Sequence, residues 1–140
     1  MWIAGLTPVQ RDALRTAEGH WSRYSGIATV PATTPGDAQV SITEVSTLGA
    51  VPSLGANMVE YAVTNSHVSN GYYVHADMQV AGLEFLTYGQ WLDTFLHELG
   101  HVAGLAHVAS PAEIMRPAQS TPLMAYSPGD IAGLETERPV

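Results

Sequence analysis

The chain predicts an α+β domain: a mixed sheet with two long helices, plus a smaller, loop-rich lower part carrying a third helix. Two observations support this. Apolar residues recur at helical spacing in residues 7–24 and again from residue 88 onward. Between these stretches lie short segments of β character, separated by Gly, Pro, Ser and Asn. The order helix, several strands, helix, irregular segment, short helix suits helices segregated from a mixed sheet. At 140 residues the chain reads as one domain, 1–140, with an upper part of about 1–107 and a lower part of about 108–140.

The first helix opens at Thr7 as N-cap with Pro8 at the first helical position. Val9, Ala13, Leu14, Ala17, Trp21 and Tyr24 form its apolar stripe, and His20 beside it reads as a partly exposed helix residue. Strands are expected at "GIATV" (26–30), "AQVSITEV" (38–45), "MVEYAVT" (58–64) and "YYVHADMQV" (72–80). The loops between them are "PATTPGD", the Gly- and Ser-rich 46–57, and the polar "NSHVSNG". From "TYGQ" the pattern turns helical, with Trp91, Phe95, Leu99 and Val102 on one face and a histidine motif on the other. After residue 107 the chain is irregular until "SPGDIAGLETER", where Ser127 caps and Pro128 begins a final helix.

Composition narrows the function. The net charge of −8, with five arginines and no lysine, argues against nucleic acid, which needs a basic footprint. No apolar stretch approaches the roughly 20 residues that span a bilayer. The opening "MWIAGLTPVQ" has neither a basic n-region nor an h-region, so no signal peptide is read there. With no cysteine, any metal site must be built from His and carboxylate.

"HELGHVAGLAH" (97–107) supplies such a site. His97 and His101 are four apart on a helix, so their side chains meet on one face. Glu98 projects about a quarter turn away, suited to act as a base on metal-activated water. His107 is out of reach on a straight helix, but Gly104 can adopt a left-handed conformation, end the helix and turn the chain back. Three neutral imidazoles leave a fourth position open, the catalytic rather than the structural arrangement, and zinc suits a nitrogen-only tetrahedral set. Fixing Gly104 and His107 at these offsets lowers the chance expectation of the motif by a factor on the order of several hundred.

HExxHxxGxxH resembles the signature of the metzincin zinc metalloproteases, whose Met-turn lies beneath the metal. "PAEIMRP" offers Met115 for that turn, as a packing floor rather than a ligand. Pro117 stands where two branches of the family carry a tyrosine, and "IMRP" is closer to the matrixins, the matrix metalloproteinase branch. "SPGDIAGL" is similar to the start of the matrixin C-terminal helix, which implies that Asp130 braces the Met-turn; the family's preceding acid is Gly129 here.

The resemblance implies a metzincin-like fold, with a twisted mixed sheet and a Met-turn and C-terminal helix in the lower subdomain. It also implies a zinc metalloendopeptidase, with Glu98 as the catalytic base and His97, His101 and His107 as ligands of one catalytic Zn2+. Tyr73 to Val80 would be the edge strand that pairs with an extended peptide substrate. Pro117 to Tyr126 would wall the pocket for the residue after the cut. Of ancillary ion sites, His67 with His75 and Asp77 could hold a second metal, although polar residues on an exposed strand are the simpler reading. The chain is similar to a minimal, bacterial or phage-type matrixin, without the inhibitory cysteine switch. That implies a secreted or extracytoplasmic monomer with a peptide or protein substrate, and neither nucleic acid nor membrane as partner. Two other functions fit the motif: a zinc-bearing binding or structural module without turnover, and a zinc amidase acting on cell-wall peptides.

Overall fold

Among the described residues, four strands and three α-helices make up a small α+β chain whose sheet is mixed. The computed structural model describes residues 1–46, 61–70, 72–83, 86–118 and 121–137. By its contacts the chain divides into two units, Met1–Leu6 with Val30–Glu84, and Thr7–Thr29 with Phe85–Val140.

The first unit holds the sheet, with β1 (Trp2–Ala4), β2 (Val40–Val45), β3 (Ala62–Ser69) and β4 (Tyr72–Ala81) in the order β1-β2-β4-β3. β1 and β4 run parallel to β2, with Ile3 opposite Ile42 and Ile42 opposite Met78. β3 returns antiparallel to β4, with a register shift between His67 and Val68. Ala76, Met78 and Val80 are buried at alternate positions of β4, as the strand period of two requires.

Several sequence expectations are corrected here. Residues 26–30 form no strand: Gly26, at φ +73°, caps the first helix, and Val30 contributes its carbonyl to the Met1 ammonium instead. β1, which its three residues make invisible to a periodicity argument, is present. β3 runs on through "NSHVS", which reads as a loop because these residues are polar. On an outer strand they face water while the backbone still pairs. Of the expected strand 58–64, residues 58–60 lie outside the described residues, as does the loop 46–57 except for Ser46. Tyr73 to Val80 is not an edge strand. β4 is paired on both sides, and β3 holds the outer antiparallel position of the described sheet.

The second unit holds α1 (Pro8–Ser25), α2 (Tyr88–Val102) and α3 (Pro128–Thr136), with α1 packed against both of the others. Matching capping boxes start the long helices. The Thr7 hydroxyl accepts from the Gln10 amide while Gln10 returns a bond to the Thr7 amide, and Thr87 and Gln90 repeat the arrangement. The core combines Leu14, Ala17 and Trp21 of α1 with Trp91, Phe95 and Leu99 of α2 and Leu134 of α3, all at most 2% exposed. α2 departs from the expected two-faced helix. Residues 91–96 and 98–100 are all buried, so the side opposite the Trp91 stripe is enclosed as well. No helix among the described residues is long and apolar enough to cross a membrane.

Candidate metal centre

α2 ends in a turn that assembles the site. The Gly104 amide donates to the His101 carbonyl and the Leu105 amide to that of Gly100, a paired closure that needs a left-handed residue. Gly104 supplies it at φ +97°. The turn does two things: it reverses the chain toward His107, and it aims the Leu105 carbonyl back at His101, whose Nδ1 donates to it at 2.8 Å.

His97 is oriented in the same manner from another segment. Its Nδ1 donates to the Ile114 carbonyl at 2.8 Å. A carbonyl oxygen only accepts, so in both rings the proton sits on Nδ1 and, in the neutral form, Nε2 presents a lone pair. Burial keeps them neutral. It lowers the His97 pKa to about 4 and also lowers that of His101, with the neighbouring histidines adding to the effect. Yet the two Nε2 atoms lie 3.0 Å apart, and His107 Nε2 lies 3.1 Å from one and 3.2 Å from the other. Facing lone pairs at that distance repel, and a cation between them removes the conflict.

The three residues are the described group that could hold a metal ion. Tetrahedral zinc at 2.0–2.1 Å from each nitrogen sets ligand atoms roughly 3.3 Å apart, close to the observed triangle. The donor set thus fits a single divalent ion of borderline softness, and the carbonyl bonds to His97 and His101 are the outer-shell partners that fix such ligands. The structure therefore brings together His97, His101 and His107. Glu98, 6% exposed, follows His97 on the same helix.

Beneath the helix lies Met115, 1% exposed. A Cβ at Gly100 would collide with its Sδ, so the glycine lets the turn 113–116 press against the α2 backbone between the two helical ligands. We expect Gly100→Ala to destabilise the protein. Alanine gains about 1 kcal/mol of helix propensity, but overpacking a closed core costs about 1–3 kcal/mol. A net loss of about 1 kcal/mol in urea unfolding is the expected outcome, and a stabilised variant would show that Met115 yields freely.

Asp130 ties this turn to α3. Its carboxylate accepts from the Ile114 amide at 2.8 Å, the Met115 amide at 3.2 Å and the Ser127 amide at 3.0 Å. The Glu113 carboxylate accepts from the Asp130 amide and the Ser127 hydroxyl, and any side chain at 129 would run into it.

Two features escaped the sequence reading. Asp93 and Arg116, 0% and 3% exposed, form a two-pronged buried ion pair, Nη2 to Oδ2 at 2.5 Å and Nη1 to Oδ1 at 3.3 Å. Burial raises the Asp93 pKa while Arg116 pulls it back. A lone Asp inside the apolar run "WLDTFL" was the available signal, since a buried carboxylate needs a cation. The second feature is the hydroxyl of Tyr126, which donates to the Leu96 carbonyl at 2.7 Å; the ring is 6% exposed and so belongs to the interior.

Of the expected pocket wall, Pro117 to Tyr126, residues 119 and 120 lie outside the described residues. In the sheet unit, His67 and His75 are cross-strand partners, both bonded to Asp77, at 3.0 and 2.8 Å. These bonds lower the Asp77 pKa, that to His75 most. His20 lies on α1, partly exposed.

No family model matches the chain, and no curated protein sequence matches it.

Proposed function

We propose that the chain is a zinc-dependent endopeptidase of metzincin type, with His97, His101 and His107 holding the ion and Glu98 acting as general base. The observation that carries this reading is the convergence of three ring nitrogens, two of which have their protons committed to backbone carbonyls. When bound, the zinc supplies Lewis acidity, which brings the pKa of a water to about 7 and polarises a carbonyl.

Glu98 accepts the proton of the attacking water and returns it to the leaving amine, so one carboxylate serves both steps. His97 and His101 arrive already oriented by Ile114 and Leu105, so little reorganisation is left for the reaction. Three protein ligands, rather than four, favour a site that turns over. Glu98, next to His97 in sequence, argues in the same direction, because a purely structural site has no use for a carboxylate there.

Mass spectrometry of a mixed peptide library tests this directly. Zinc-loaded protein is expected to cut it, chelator-stripped protein to leave it intact, and restored zinc to bring the cuts back. A protein that holds one zinc per chain and cuts no peptide would overturn the endopeptidase reading, and cell-wall peptides would be the next substrate tried.

A further inference from the structure

His97 and His101 are oriented by carbonyls that are held in different ways. The Leu105 carbonyl belongs to the turn that ends α2, so Gly104 places it locally. The Ile114 carbonyl comes from 17 residues beyond His97, and its segment must be held against the helix. Asp130 accepts from the Ile114 and Met115 amides, which fixes the tilt of that peptide group. It does so from α3, so it does not tie the turn to α2. Packing of Met115 on Gly100 limits how closely the turn approaches α2, but apolar contact is non-directional.

The directional tie to α2 is Arg116. Its Nη1 donates to the Glu113 carbonyl at 3.0 Å and its own amide to the same oxygen at 3.4 Å, so guanidinium and turn form one unit. The fork then grips Asp93, four residues before His97 on the same side of α2. The path of bonds closes on itself: Asp93, Arg116, the turn 113–116, the Ile114 carbonyl, and His97 one helical turn on. Such a pair is a poor source of stability, because taking two charges out of water cancels most of their attraction. What a planar fork on a carboxylate does supply is a fixed direction, since both prongs must align.

We infer that Asp93 and Arg116 are positioning residues of the metal centre, which hold the Ile114 carbonyl where it fixes the His97 ring and so strengthen zinc binding. This rests on the metal-site reading of the three histidines and deepens it. Neither residue is a member of the converging group. The pair is neutral overall, so removing both charges leaves the net charge near the ion unchanged.

The test compares wild-type protein with the double variant Asp93→Leu/Arg116→Met, which leaves neither charge buried alone. Zinc affinity is measured by chelator competition. The proton position on each ring is read from the nitrogen chemical shifts of His97 and His101 in zinc-free protein at neutral pH. We expect the variant to bind zinc about tenfold more weakly, the lower end for loss of an outer-shell partner. Its His97 ring becomes a mixture of Nδ1–H and Nε2–H forms, while His101, held by Leu105, keeps its proton on Nδ1. Should the double variant not fold, Arg116→Lys, which keeps the charge and loses the fork, is read in the same way. In a folded variant, wild-type zinc affinity, an unmoved His97 ring, or two rings altered alike would each overturn the positioning role alone. A wild-type protein that binds no zinc overturns the metal centre and this role with it.

Discussion

Glu98→Gln is expected to lower peptide cleavage by about 10²- to 10⁴-fold, the range a positioned general base contributes, while zinc content stays at the wild-type level. The substitution keeps the shape of a side chain that is only 6% exposed, so no cavity opens next to His97. What it removes is the capacity to take a proton. The three ring nitrogens that face one another are untouched, because Glu98 is not a member of that group. Cleavage of the best library peptide, zinc by mass spectrometry and the thermal midpoint together separate the outcomes. A variant within about threefold of wild type removes Glu98 from the chemistry. One that loses its zinc makes Glu98 a ligand instead of a base.

The sequence was informative where one local rule decides the structure. Thr7 caps the first helix with Pro8 at its first position, and both follow from the local sequence alone. The convergence of His97, His101 and His107 depends on the helical repeat plus one glycine, and both could be read from eleven letters. Legibility failed where tertiary partners decide. β1 is three residues long and pairs with a strand some forty residues away, so no window of sequence contains its cause. The second half of β3, 65–69, looked like a loop because an outer strand tolerates polar residues, and the edge position expected of Tyr73 to Val80 came from the resemblance and not from these residues. The bonds of Glu113 to Ser127 and Asp130 are likewise a matter of space, since these residues lie fourteen and seventeen positions away. Asp93 was missed for a different reason: its charge sat in an apolar run and asked for a partner, a signal that went unread.

Acidification from pH 6.5 to 4 is expected to strip the zinc and then to destabilise the metal-free protein. The His97 pKa falls from 6.5 in the unfolded chain to about 4 in the folded one, through burial that penalises its charged form. In that window the unfolded state binds more protons than the native state, so stability rises with pH. The contribution of His97 is therefore fully present above pH 6.5 and is lost as the pH drops through about 4. At 1.36 kcal/mol per unit, a shift of this size is worth up to about 3 kcal/mol, a large part of the stability of a domain this small. Zinc adds a second dependence of the same sign, because only neutral imidazole binds it and every proton competes. The His101 pKa is lowered as well, so the two helical ligands resist protonation longer than free histidine would. Thermal midpoints measured with and without zinc across this range, beside zinc content after dialysis, should show the two curves merging as the metal leaves. Zinc fully retained at pH 4, or a metal-free protein equally stable at both ends of the window, would be incompatible with three imidazoles as the ligands, two of them half-buried.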